Sequence, residues 1–393
     1  MHPVSLLSGL LMGAGAAATA LAAPIATTAT AGALVHTIPR AGFAGVTMDW
    51  WPPGGGCHDC DGGWQNASVT HADFSSARLR ALAAALAPGV LRLGGTLDKV
   101  IQYWLPDEHG AATPAPPACR PNPGNFSGAE ASYLCLNATR WAEVNEFAEA
   151  TGLRLVFGLS LNATQNQRML RHNHAQNYSI LAYEIPEEFT PGWHGYPGSD
   201  GTWAGFDESY DCDWDCYIGM FHSTSATLHA LYDAEQASGG RARPLLTGPS
   251  EGMVGWKSAG HTAFTNFTTQ WVRKVVAATA GVLDALVYHS YNNDAIASEG
   301  SATFFLNQTM VQGAAYLAEA ALATPKPLPV ILGEGAFHNG GCSVGGCDTF
   351  GSSVYYLDAL SKLAAMGYVK FRQYFLYLTL WGGCFELDVR GHT

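Results

Sequence analysis

The sequence predicts an α/β fold, a closed (β/α)8 TIM barrel, on three observations. Eight short apolar runs punctuate the chain, helical patterns fill most gaps between them, and no glycine-rich nucleotide fingerprint follows the first run. The runs are Gly45–Trp50, Val90–Leu93, Leu153–Leu159, Ile180–Glu184, Pro244–Thr247, Leu283–His289, Pro329–Gly333 and Lys370–Leu376. Between the second and third, Trp141, Val144, Phe147 and Ala148 share one helical face that Gly152 can end. Before the last, Val354, Leu357, Leu360, Leu363 and Ala364 repeat the pattern ahead of Gly367. An open doubly wound sheet is the competing arrangement. It loses support because neither G-x-G-x-x-G nor G-x-x-x-x-G-K-S/T occurs. The 393 residues fit a single barrel. A composition that is 48% hydrophobic and 13% charged supports a large core and argues against disorder.

The N-terminus carries an uncharged apolar run, Leu6 to Ala23, ending in the small residues Ala20-Leu21-Ala22-Ala23. Residues 1–23 are therefore expected to be a cleaved signal peptide, leaving 24–393 as the barrel domain. A membrane anchor is the alternative, because the run is about long enough to span. Seven N-x-S/T sequons, at Asn66, Asn125, Asn137, Asn162, Asn177, Asn266 and Asn307, fit a secreted glycoprotein. The nine cysteines fall mostly in close pairs, Cys57/Cys60, Cys119/Cys135, Cys212/Cys216 and Cys342/Cys347, with Cys384 left over. Disulfides in an oxidising compartment explain such pairs better than zinc, since no second knuckle follows Cys57-His58-Asp59-Cys60. Ala111–Gly128, rich in Pro and Ala, reads as a long surface loop. A secreted or cell-wall location is expected, with the lysosome or vacuole or a membrane-associated form as alternatives. The net charge of −12 disfavours nucleic acid and densely sulfated glycans as partners, because polyanion binding needs a basic surface.

In such a barrel the chemistry sits at the C-terminal ends of the strands. The fourth run leads into Tyr183-Glu184-Ile185-Pro186-Glu187-Glu188, the seventh into Gly333-Glu334, and the sixth into His289-Ser290-Tyr291-Asn292. Glycoside hydrolysis needs two carboxyl groups across the scissile bond, about 5–5.5 Å apart in retaining enzymes. The fourth and seventh strands stand on opposite walls, so Glu188 as acid/base and Glu334 as nucleophile can face each other. An ionised Glu334 would raise the proton affinity of a nearby Glu188. The competing view is that each Glu caps a helix or makes an ordinary surface pair, and that His289 is a structural histidine. Serine-nucleophile chemistry lacks support, since no G-x-S-x-G elbow occurs.

Several stretches resemble plant heparanase-like proteins of glycoside hydrolase family 79. They are Val46-Thr47-Met48-Asp49-Trp50-Trp51-Pro52-Pro53, Leu91-Arg92-Leu93-Gly94-Gly95-Thr96-Leu97-Asp98-Lys99-Val100, Phe157-Gly158-Leu159, Gly333-Glu334 with Gly340-Gly341, Tyr356-Leu357-Asp358-Ala359-Leu360, and Arg372-Gln373. The likeness runs from about Gly42 to Leu387. It implies a retaining enzyme for β-linked glucuronic acid, with Glu334 as nucleophile and Glu188 as acid/base. Asp49, Gly95, Thr96, Glu187, His289, Tyr291 and Gln373 would contact substrate. Gly340 and Gly341 would help hold the sugar carboxylate, and Phe385 would stand beside it. No cofactor or metal is implied.

Three departures stand out. Glu187 replaces the family's Asn before the acid/base, Pro186 replaces its Gly, and Phe385 replaces a Tyr. Glu187 adds a like charge beside Glu188, which favours the protonated acid. The resemblance also implies a last helix and a C-terminal β-sandwich, most or all of which the chain is expected to lack. The sequence thus points to a secreted, heparanase-like β-glucuronidase acting on a glycan or glycoside. Its rivals are a catalytically impaired glycan-binding barrel and a retaining β-glycosidase for a neutral sugar.

Overall fold

The computed structural model describes residues 43–50, 68–107, 109–116, 119, 135–186, 212–251, 271–291, 328–336, 350–365 and 370–373. All lie within one unit, His36–Thr393. Among the described residues no helix is long and apolar enough to cross a membrane. The proposed signal segment and most of Ala111–Gly128 lie outside them, as do Cys57/Cys60, Cys342/Cys347 and Cys384.

Ten strands follow one another along the chain: β1 (Ala44–Met48), β2 (Val90–Leu93), β3 (Gln102–Trp104), β4 (Cys135–Asn137), β5 (Arg154–Gly158), β6 (Ile180–Glu184), β7 (Leu245–Glu251), β8 (Ala285–Tyr291), β9 (Val330–Ala336) and β10 (Lys370–Gln373). Eight of them close into a parallel barrel in the order β1-β2-β5-β6-β7-β8-β9-β10, and β10 pairs back onto β1 through Ala44↔Phe371 and Val46↔Gln373. Each of the eight apolar runs became one barrel strand, with ends displaced by a few residues. Closure rules out the open sheet and leaves the barrel itself without an unpaired strand edge.

Side chains alternate across the wall. Leu91, Leu93, Leu155, Phe157, Tyr183 and Leu286 join the large core between barrel and helices. Val90, Val156 and Ala182 form a separate small cluster, and Ala285, Val287 and Ile331 another. These fill the barrel interior. One step further along the same inward columns stand Arg92, Glu184 and His289, two residues beyond Val90, Ala182 and Val287. A period of two thus carries three polar side chains to the top of an apolar plug.

The helices obey local rules. Among them are α1 (Ala77–Ala85), α2 (Ala138–Thr151), α3 (Ala163–Ala175), α4 (Trp214–Ala237) and α5 (Phe350–Ala365). Asn137, Asn162 and Asp213 cap α2, α3 and α4, their side-chain oxygens accepting from Arg140, Gln165 and Cys216 N–H. Gly152 ends α2 in the left-handed region at φ 72°, where glycine carries no Cβ penalty. Trp141 packs edge-on against Phe157, and its indole N–H donates to Asn173, whose amide donates to Tyr183 OH. That chain ties α2, α3 and β6 together with each buried polar group partnered.

The β2-to-β5 connection holds an element the sequence reading lacked: β3 and β4 form a two-stranded parallel sheet, Gln102↔Cys135 to Trp104↔Asn137. Three residues are too few for an alternation to show. Disulfides, expected from the close cysteine pairs, are present, and the structure supplies their connectivity: Cys119 to Cys135 and Cys212 to Cys216. The first staples the loop to β4, and the second ties the residue before the Asp213 cap to the first turn of α4.

Burial holds the His172 imidazole below its ordinary range. Burial, then the Arg140 charge, does the same to His71. Below about pH 6.5, where the unfolded chain takes up protons, both rings therefore take them up less readily in the fold. Stability should be insensitive to these groups above that pH and fall as pH drops through it. Urea unfolding at pH 7.5 and 5.5 should show the decline, and His172→Gln should flatten it. An equal slope in the variant would remove His172 from the account.

Candidate active site

The C-terminal mouth of the barrel gathers charged side chains that strand order alone would scatter. Arg92 on β2 and Glu184 on β6 are fully buried, and Glu334 on β9 is 4% exposed. The Arg92 guanidinium joins the two acids. Its Nε and Nη2 lie 2.6 Å from Glu184 Oε1, and its Nη1 lies 2.6 Å from Glu334 Oε1. The other Glu334 oxygen, Oε2, is 3.4 Å from His289 Nδ1 on β8. Glu334 is thus held on one side by a fixed cation and faced on the other by an imidazole. Buried charges persist only when paired in this way.

Glu334 reaches the interior through a local irregularity. Along β9, Ile331 points inward and Leu332 outward, so strict alternation would turn Glu334 out. The β8 ladder instead runs Tyr288↔Leu332 then His289↔Glu334, skipping Gly333, and the β10 ladder shifts over the same stretch. The extra residue is a β-bulge, which re-aims the side chain that follows. A Cβ at Gly333 would overlap the Val287 side chain, so the bulge needs glycine there. Thr47 Oγ1 donates to the Gly333 carbonyl across the barrel at 3.4 Å.

Glycine shapes the β1–β2 side of the mouth as well. Asp49, just past β1, is buried, and one carboxylate oxygen accepts from Trp50 N–H. Gly95 sits at φ 131°, and a Cβ there would overlap the Asp49 carboxylate. A Cβ at Gly94 would come within 2.8–3.0 Å of the Arg92 guanidinium. The Gly94-Gly95 pair therefore leaves room for both charged groups. Asp98 and Lys99 follow in a short 3-10 turn, Thr96–Val100, and both are buried.

Of the residues expected from sequence, the structure brings together Glu334 and His289 and places Asp49 and Gly95 in contact beside β2. Thr96 starts the 3-10 turn, while Tyr291 and Gln373 end β8 and β10. Glu187, Glu188, Gly340, Gly341 and Phe385 lie outside the described residues, as do Asn66, Asn125, Asn266 and Asn307. Asn137, Asn162 and Asn177 are exposed. Sequence reasoning missed Arg92 and Glu184 as members of the site. The signal was available: each is a charge within an otherwise apolar run, and a charge in a fully buried strand demands a partner.

The comparisons agree with this architecture. Residues 28–191, which take in the first four barrel strands, match the model of glycosyl hydrolase family 79, N-terminal domain. Over that region the chain is similar to the family. Heparanase-like protein 3 of Arabidopsis thaliana is 30% identical over 165 residues, covering 37% of this chain and 29% of that protein. Heparanase-like protein 1 of the same plant is 26% identical over 348 residues, covering 82% of this chain and 56% of that protein. Baicalin-beta-D-glucuronidase of Scutellaria baicalensis is 33% identical over 116 residues, covering 29% of this chain and 20% of that enzyme. The matched stretches span between 20% and 56% of the length of these relatives.

Proposed function

We propose that this chain is a secreted, glycosylated retaining glycoside hydrolase that cleaves β-linked glucuronate-type glycosides. The observation that carries the reading is the placement of Glu334: an arginine-bound carboxylate at the C-terminal end of the seventh barrel strand, aimed inward. In the first step a Glu334 oxygen attacks the anomeric carbon and the glycosidic C–O bond breaks. Glu188 gives its proton to the leaving oxygen. In the second, Glu188 takes a proton from water, the hydroxide attacks the same carbon, and Glu334 departs. Two inversions at one carbon leave the configuration unchanged.

Under this reading the resemblance assigns substrate contacts to Asp49, Gly95, Thr96, Glu187, His289, Tyr291 and Gln373, and the sugar carboxylate to Gly340 and Gly341, with Phe385 in place of a tyrosine. Glucuronate is favoured over a neutral hexose by the relative named for baicalin β-D-glucuronide hydrolysis, whose aligned segment is 33% identical. Secretion and glycan attachment rest on the apolar N-terminal run and on the exposed sequons at Asn137, Asn162 and Asn177.

A panel of aryl β-glycosides tests the reading. Turnover should be highest with the glucuronide, and proton NMR of the first-formed sugar should show the β anomer. Faster cleavage of the glucoside would move the enzyme to neutral sugars. An α product would exclude the double displacement, and binding without turnover would make the barrel a lectin.

A further inference from the structure

A retaining mechanism uses two carboxylates, yet the mouth holds another that takes no part in it. We propose that Glu184 is a positioning residue: it clamps one edge of Arg92 and shares its charge, so that Glu334 is oriented without having its negative charge cancelled. This rests on the reading of Glu334 as nucleophile.

The geometry separates the roles of the two acids. Glu184 Oε1 meets Nε and Nη2, the side edge of the guanidinium, whereas Glu334 Oε1 meets the outer nitrogen Nη1. A planar guanidinium fixed at one edge has its remaining N–H directions fixed as well. Glu184 thus aims Nη1 at Glu334 from the opposite wall. Gly94 supplies the space in which the guanidinium lies. Glu184 is itself held in place by its strand. It pairs in register with Gly158 on β5 and Thr247 on β7, neither of which brings a charge.

Charge sharing follows from the count. Arg92 with Glu334 alone is a neutral pair, and its carboxylate oxygens are poor donors to an electrophilic carbon. With Glu184 the group carries one net negative charge inside a low-dielectric mouth. That charge favours the positive, oxocarbenium-like transition state, and it favours the protonated form of an acid facing it. Other charged or titratable groups border the cluster: His289 on β8 beside Glu334, Asp49 beyond β1, and Asp98 and Lys99 after β2. On the β10 side Gln373 pairs with Gly335 and adds none.

The test uses the full chain and an aryl β-glucuronide. Glu184→Gln keeps the shape and removes the charge. It should lower kcat about tenfold or more, equivalent to about 1.4 kcal/mol, with KM changed far less. Both limbs of the kcat/KM–pH profile should move to lower pH, because both carboxyls lose a nearby negative charge. Glu184→Asp keeps the charge at shorter reach, so it should leave both limbs in place while kcat falls. A merely structural role would change melting temperature and yield without moving the limbs. A folded Glu184→Gln enzyme with unmoved limbs overturns the proposal. Should that variant fail to fold, Glu184→Asp decides: wild-type kcat, or displaced limbs, overturns it equally. Failure of the underlying reading looks different, since Glu334→Gln would then retain full hydrolysis whatever Glu184 does.

Discussion

Glu334→Gln should lower kcat/KM for an aryl β-glucuronide by at least about a thousandfold, equivalent to about 4 kcal/mol of transition-state stabilisation. The amide has nearly the shape of the carboxylate, and its oxygen can still accept from Arg92 Nη1, which now lies 2.6 Å from Glu334 Oε1. The fold should therefore survive, and circular dichroism and melting should stay close to wild type. What disappears is the negative charge that the proposed mechanism directs at the anomeric carbon. An amide oxygen is a weak nucleophile, and it does nothing to keep a facing acid protonated. KM should change little, because the sugar's hydroxyl contacts are untouched. Retention of wild-type hydrolysis would remove Glu334 from the chemistry and with it the proposed mechanism.

Arg92→Met attacks the same cluster through stability. The guanidinium is fully buried and holds Glu184 and Glu334 together from different strands. Removing it leaves two buried acids without their shared cation, in a mouth floored by Val90, Val156 and Ala182. Breaking a buried ion pair by deleting one partner costs about 3–5 kcal/mol, most of it the penalty of the stranded charge. Urea unfolding at neutral pH should show a loss of that size. The deficit should shrink as pH falls, since a protonated carboxyl is far cheaper to bury than a carboxylate. Adding Glu184→Gln to Arg92→Met should restore part of the loss for the same reason, although each change alone is harmful. A variant as stable as wild type, or a deficit independent of pH, would contradict the buried-cluster description.

The pH dependence connects the two results. In the proposed mechanism Glu334 acts only as an anion, and Arg92 makes an anion tolerable there. Activity and stability therefore share a residue, and Arg92→Lys should impair both, because one ammonium cannot reproduce three N–H directions at two acids.

Much of this was legible along the chain. The spacing of apolar runs gave strand number and order, because a parallel barrel pairs each strand with the next in sequence and leaves few alternatives. Gly152 after the Trp141 face gave a helix end, whereas which cysteines join, Cys212 with Cys216 among them, came from the structure. The short sheet of β3 and β4 stayed hidden, since three-residue strands leave no readable period and their pairing spans a long connection. Arg92 was visible as a motif letter, but its partners stand 92 and 242 residues away.

The sequence by itself determined the class of fold, the order of its strands, and the strand end on which Glu334 sits. Tertiary structure alone decided which way that side chain faces. In a strand each residue alternates sides, so one extra residue reverses everything after it. Gly333 is that residue in β9, and its need to avoid Val287 on the neighbouring strand exists only once the barrel has closed.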